Sequence, residues 1–411
     1  MLRNVLLNLR ANKMSRPLPL SGITVVDLGQ IYNGPYCTFL MAMAGAKVIK
    51  IESRGGEHLR RRSVVGGAAL PFAMLNSNKT FVTLNLKSEK GKELLKEMVR
   101  RADILIENFA PGTMQRLGLG FDDLVKENPR LIYGAGSGYG TSGPNKDYPA
   151  MDLTVQAMAG VMNVTGFADR PPVKAGPALC DFFGGVHLYG AVMTALFERE
   201  RTGLGRQVEV SMQEAVYPSL SSNLGLYFGS KGTAVPRTGN RHGGLAEAPY
   251  NVYPTQDGHI AIICVGEKHW HSLLKAMNRT DLVTHPSYQN LKLRVDHMEE
   301  IDELVSAFTH IHKKQDLFNL LMQHKVPCAP VRDLGEVVND AHMHERKALE
   351  WVDHPMYGRV CLMNSAMRYQ DSETIALVPS GELGSNNQEV YGEWLGLSKE
   401  QIQGLLKEEV I

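Results

Sequence analysis

Asp181 stands where VKAGPALC meets the apolar stretch FFGGVHLYGAVMTALFERE. In that stretch Val186, Tyr189, Val192 and Leu196 fall on one face at helical spacing. The aspartate therefore sits at or just before a helix N-terminus. Two uses for it stand side by side. It can cap the helix, which is worth about 1 kcal/mol. It can also be a nucleophile, because free N–H groups and the helix dipole favour an anion there by roughly 0.3–1 kcal/mol and keep a carboxylate ionised. Gly184 and Gly185 leave room beside it for a bulky substrate.

Other chemical candidates are thinner. His269 and His271 flank Trp270, and His310 precedes His312 by two. An i, i+2 spacing does not put two ligands on one helix face. No nearby set of acids or cysteines completes a metal site, so none is expected. Arg60, Arg61 and Arg62 form a basic run that is either a solvated face or a binder of phosphate or carboxylate. No G-x-S-x-G elbow offers a serine nucleophile.

The elements that must position these groups alternate. Ile23–Leu28 reads as a buried strand, Tyr36–Ala44 as a helix, and Lys47–Glu52 as a second strand. Phe81–Leu86, Asp103–Glu107 and Leu131–Tyr133 read as further strands, and Ser88–Arg101 as a helix that Ser88 caps. Strands alternating with helices predict a mainly parallel sheet covered on both faces. Ligands of such sheets bind outside the carboxyl ends of the strands. Those ends are Gly29–Pro35, Glu52–Gly56, Asn108–Gly112 and the run GAGSGYGTSG from Gly134 to Gly143, which reads as a loop. No G-x-x-x-x-G-K-[ST] occurs at the turns. From about Leu226 the texture changes, which predicts a smaller α+β domain over 226–325. Residues 1–225 and 326–411 then make the large domain.

Composition is that of a globular chain: 411 residues, 43 % apolar and 21 % charged. A net charge of +1 gives no case for a nucleic-acid partner. No uninterrupted apolar run reaches about 18 residues, so no membrane span is expected. Five cysteines without a CxxC fit a reducing compartment, and the cytoplasm is the expected location. Met1–Lys13 holds three cations and no acid. It is either a short leader before Met14 or a weak transit peptide, which would direct the chain to the mitochondrial matrix.

The run VVDLGQIYNGPYCTFLMAMAGAKVIKIE resembles the N-terminal signature of the class III CoA-transferases (CaiB/BaiF family). ENFAPGTMQRLGL, SGYGTSGP, ALCDFFGG, GNRHGGLAEAPYNVYPTQDG and VPCAPVRDLGEV resemble later signatures, in the family's order. The resemblance implies a Rossmann-like domain built from both chain ends, a smaller domain between, and two interlocked subunits. A homodimer is expected, and an unlike homologous subunit is the variant. It implies Asp181 as catalytic nucleophile, forming an aspartyl anhydride and then an aspartyl-CoA thioester. It implies CoA contacts at Tyr32, Asn33, Ser53, Arg54, Leu84, Asn85, Lys87, Asn108, Phe109, Ala110, Arg116 and Tyr139. Ser53 departs from a basic residue of some members, and Arg54 beside it is expected to take the phosphate. Coenzyme A would enter as part of the substrate, with no tightly bound cofactor.

A dicarboxylate acceptor and a succinyl-CoA donor are expected, with Arg241, His242, Gly243 and Gly244 at the acceptor. Backbone N–H groups near Gly184 or in the His242–Gly244 loop are the expected oxyanion donors. Two other readings remain. A related racemase places a histidine where this chain has Met151, and methionine carries no proton. A non-catalytic CoA-binding subunit would keep Asp181 only as a cap.

Overall fold

The computed structural model describes residues 16–62, 70–372 and 374–411. Residues 1–13, read as a short leader or a transit peptide, lie outside the described residues. The chain divides into two compact units. The first takes in the chain through Val155, then Ala178–Val216 and Asp340–Ile411. The second takes in Gln156–Pro177 and Tyr217–Asn339. The divisions therefore differ from the expected 226 and 325, and Gln156–Pro177 moves to the smaller unit.

The first unit contains β1 (Thr24–Asp27), α1 (Asn33–Ala42), β2 (Lys47–Glu52), β3 (Thr80–Thr83), α2 (Glu89–Arg101), β4 (Ile104–Glu107), β5 (Ile132–Ser137), α3 (Leu179–Thr202) and β6 (Gln207–Ser211). Its strands form one parallel sheet in the order β3-β2-β1-β4-β5-β6. Alternate residues of β1, β2, β4 and β5 feed two cores. Val25, Val48 and Ile104 pack with Met41, Leu188 and Val192 of α1 and α3. Val26, Ile49 and Leu105 pack with Leu95 and Met98 of α2, and with Tyr391 and Ile402 near the C-terminus. Burial on both faces is why these strands read as near-continuous apolar runs. The C-terminal residues return to the first unit.

Ser88 caps α2 as expected, its Oγ accepting from Gly91 N–H at 3.0 Å. The glycine run departs from expectation. Gly134 and Gly136 lie inside β5 and not in a loop. A Cβ at Gly134 would stand 2.6 Å from Ile106 Cδ1 and 3.0 Å from Val192 Cγ2. These glycines let other groups press onto the strand. α3 is long and apolar enough to cross a bilayer by length and composition. Its Leu188, Val192 and Ala195 are buried against the sheet.

The second unit carries the antiparallel sheet of β7 (Tyr250–Thr255), β8 (Gly258–Ile263) and β9 (Cys328–Pro330). Ile260 and Ile262 point to one side, where α4 (Glu267–Ala276), α5 (Met298–Thr309) and α6 (Lys314–Gln323) bring Trp270, Val305 and Leu317. In the first unit again, β10 (Leu349–His354) and β11 (Gly358–Met363) form a hairpin.

Candidate active site

The strand order reverses between β1 and β4. The loops after those strands part there, which opens a crevice at the carboxyl edge. A cavity of about 570 Å³ lies in it, with Asn33, Asn108, Tyr139, Asp181 and Met212 among its lining residues.

The loop after β1 is tied from all sides. Gly29 N–H donates to Asp27 Oδ1 at 2.8 Å, and Gln30 N–H to Asn108 Oδ1 at 2.7 Å. Ile31 N–H donates to Glu57 at 3.0 Å, and Lys50 donates to the Gly29 carbonyl. Ile31 itself takes a left-handed φ of 63°, a conformation costly for a β-branched residue unless its surroundings impose it. Beneath the loop the Lys79 ammonium reaches Asp27, Thr38, Asn76 and the Pro35 carbonyl, all at 2.8–3.0 Å. Burial pushes Lys79 down to about 8. Burial alone would raise Asp27, but Lys79, Lys50 and Thr38 together bring it below its ordinary value.

Asp181 is the third residue of α3 and is 8 % exposed. It does not cap its helix. Asp152 does: its Oδ1 accepts from Cys180 N–H at 2.9 Å and Asp181 N–H at 3.4 Å. The Asp181 carboxyl is thereby left for other work. Burial first, and the charge of Asp152 second, push it up to about 7. The helix dipole was expected to hold it ionised, yet its fraction of a kcal/mol is smaller than the cost of desolvating a carboxylate. Phe182 stacks on Tyr32 at 5.9 Å and meets Tyr36 edge-on at 4.9 Å, so the first turn of α3 is fixed against α1. A buried carboxyl on a rigid turn, opening on a cavity this size, can form a covalent acyl intermediate with a large substrate.

Residues 20–387 match the family described as CoA-transferase family III. The chain belongs to CoA-transferase family III. The transferase is 33 % identical over 407 residues to a formyl-CoA:oxalate CoA-transferase of Streptomyces avermitilis, covering 95 % of this chain and 99 % of that protein. It is 34 % identical over 349 residues to a succinyl-CoA:mesaconate CoA-transferase of Haloarcula marismortui, covering 82 % and 86 %. Among solved structures, a CaiB/BaiF family protein from Brucella suis is similar with a TM-score of 0.80 at 29 % identity, covering 92 % of this chain and all of that one (100 %).

The structure of the transferase sorts the expected site residues into three groups. Asn33, Asn108, Phe109, Ala110, Arg116 and Tyr139 line the cavity with Asp181. Tyr32 adjoins them through Phe182. The second group, Ser53, Arg54, Leu84, Asn85 and Lys87, lies after β2 and β3. There Arg54 pairs with Glu409 at 3.0 Å, and Asn85 N–H donates to the Val410 carbonyl at 2.7 Å. The Arg54 pair is largely exposed, so it gives Arg54 little that a phosphate could not replace. Ser53 Oγ donates to the Gly56 carbonyl at 3.2 Å, Leu84 is buried, and Asn85 Oδ1 accepts from Lys87 N–H.

The third group belongs to the second unit. Arg241 Nε donates to Asp302 at 2.8 Å, a carboxylate that also accepts from Tyr253 and Asn251. His242 Nδ1 accepts from Gly244 N–H at 3.2 Å, and its ring meets Tyr250 edge-on. A Cβ at Gly243 would stand 2.8 Å from Asn223.

Two expectations need correction. Arg60 is neither solvated nor available to a ligand: it bonds both Glu52 oxygens and the Gly381 carbonyl, and its guanidinium lies 4.1 Å from the Phe72 ring centre. Gly184 is the sixth residue of α3, so its N–H serves the helix ladder and cannot be an oxyanion donor. Asp152 was not assigned a role from sequence, although an acid at the start of a helix was the available signal. Among the described residues, no group of three or more His, Cys, Asp or Glu could hold a metal ion.

Proposed function

We propose that this transferase moves coenzyme A from a short acyl-CoA, succinyl-CoA foremost, to a dicarboxylate through covalent intermediates on Asp181. The observation that carries the reading is the Asp181 carboxyl, buried, uncommitted to its own helix and opening on the cavity. An Asp181 oxygen attacks the thioester carbonyl carbon; the C–O bond forms, the C–S bond breaks and CoA thiolate leaves. The thiolate then attacks the aspartyl carbonyl carbon of the anhydride, which yields an aspartyl-CoA thioester and releases the donor acid. The acceptor carboxylate attacks that thioester, and the steps run in reverse. No oxidant or added cofactor enters, and the thioester energy is conserved. CoA is part of the substrate throughout.

The acceptor class is supported by the relatives' names, since oxalate and mesaconate each carry two carboxylates. The cavity edge offers Arg116 and the strand ends offer Arg54 as partners for CoA phosphates. A homodimer is supported by apolar side chains left exposed along α3, among them Val186 and Phe197. Arg241 is assigned to the acceptor's distal carboxylate, and the cytoplasm to the enzyme's location.

The test is acyl exchange. The purified protein is given succinyl-CoA and a panel of mono- and dicarboxylic acids, and new CoA thioesters are followed by mass. A new thioester with a dicarboxylate, absent with Asp181→Ala, is expected. Turnover by Asp181→Ala at a near-normal rate would end the covalent reading.

A further inference from the structure

Each acyl exchange on Asp181 passes through a tetrahedral centre whose oxygen carries negative charge, and that oxygen needs hydrogen-bond donors. Three backbone N–H groups beside the Asp181 side chain are already engaged. The N–H groups of Cys180 and Asp181 go to Asp152, and that of Phe182 to the Ala178 carbonyl. Later amides of α3 serve the helix ladder.

One side chain at the cavity has its hydrogen bonds unmade. Asn33 is 2 % exposed, and neither its Nδ2 nor its Oδ1 has a partner among the described residues. Buried carboxamides are ordinarily bonded, so an unpartnered one calls for a reason. Two glycines admit it. A Cβ at Gly184 would stand 2.2 Å from Asn33 Nδ2, and a Cβ at Gly136 would stand 2.3 Å from Asn33 Oδ1. Gly184 follows Asp181 by three residues, so the two positions share one face of α3, one turn apart. Helical Cβ atoms lean towards the N-terminus, so the space over Gly184 that Asn33 fills lies on the Asp181 side, and Asn33 and Asp181 line the same cavity.

We propose that the Asn33 carboxamide is a catalytic hydrogen-bond donor for the oxyanion that forms at the Asp181 carbonyl carbon. This rests on the transferase mechanism proposed above. When CoA thiolate adds to the aspartyl anhydride, the S–C bond forms and the carbonyl π pair moves onto the aspartyl oxygen. Asn33 Nδ2–H donates to that oxygen. As the C=O bond re-forms, the bond to the donor carboxylate breaks and the acid leaves with the electron pair. No proton transfer from Asn33 is required.

The experiment uses the full chain, wild type and two variants, with succinyl-CoA alone and then with a dicarboxylate. Rapid quenching and intact-protein mass measurement follow the CoA adduct on Asp181, and calorimetry gives the affinity for free CoA. Asn33→Ala removes the donor. Asn33→Leu removes it while keeping bulk between Gly136 and Gly184, so it separates chemistry from packing. The expected result is adduct formation at saturating succinyl-CoA slowed about 10²–10³-fold in both variants, as for other lost oxyanion donors, with a melting temperature close to wild type for at least the leucine variant. Adduct formation by Asn33→Leu within about threefold of wild type overturns the proposal, and so does a loss explained wholly by weaker CoA binding. If the wild-type protein itself forms no adduct, the transferase mechanism fails first, and this role for Asn33 falls with it.

Discussion

Asp152 caps the helix that carries Asp181, its Oδ1 reaching the Asp181 N–H at 3.4 Å and the Cys180 N–H at 2.9 Å. One carboxylate thus holds the other's backbone and also opposes its ionisation. Replacing Asp152 by Asn keeps a cap acceptor and removes the charge. The acid limb of the pH–rate profile for adduct formation, set by Asp181 near 7 in the free enzyme, should move to lower pH. An unmoved limb would show that burial alone sets the value.

The same carboxyl makes stability depend on pH. Its folded value of about 7 exceeds the ordinary 3.8, so the folded state holds the proton more tightly than the unfolded chain. Its contribution is then present at low pH and is lost as pH rises from about 4 through about 7. Asp181→Asn should remove this slope. Urea melts of both proteins across that range would check it, with the difference between them growing towards neutral pH in favour of the variant.

Gly184 and Gly190 occupy one helix and should respond to alanine with opposite signs. At Gly184 the new methyl would meet Asn33 Nδ2 at 2.2 Å, and overpacking of this kind costs about 1–3 kcal/mol. At Gly190 no atom of the same chain lies within 4 Å, so Gly190→Ala should stabilise the single subunit by about 0.5–1 kcal/mol through helix propensity. Denaturation midpoints measured side by side decide it, with Gly184→Ala also slowed in transfer.

Lys79 and Asp27 form a wholly buried pair at 2.9 Å beneath the loop of Tyr32 and Asn33. Lys79→Met strands the Asp27 charge and should cost about 3–5 kcal/mol. Adding Asp27→Asn should recover part of that loss. A double-mutant cycle in urea gives the coupling, and simple additivity would show that the pair does not act as a unit.

Arg241→Ala should raise KM for dicarboxylate acceptors more than for monocarboxylates. Equal changes would mean that Arg241 serves only to hold Asp302, which it meets at 2.8 Å.

Much of the scaffold was legible because local sequence reports local burial. TVVD, KVIKIE and ILIE read as strands, Ser88 as a cap, and the Asp181 segment as a helix start, each from residues within a few positions of one another. Alternation of those elements was enough to imply a parallel sheet with its ligand edge at Gly29–Pro35 and Asn108–Gly112.

Tertiary structure alone decided what each group faces. The cap on Cys180 comes from 28 residues away, the Arg241 partner from 61, and the Arg60 contact at Gly381 from 321. Gly134 and Gly136 read as loop residues because no local pattern discloses a helix or an asparagine pressing on a strand. Residue types and spacing marked Asp181 as a carboxylate at a helix start. Its rise to about 7 and the unpartnered Asn33 beside the same cavity follow from burial among distant segments, since desolvation and hydrogen bonding depend on neighbours in space and not on neighbours in the chain.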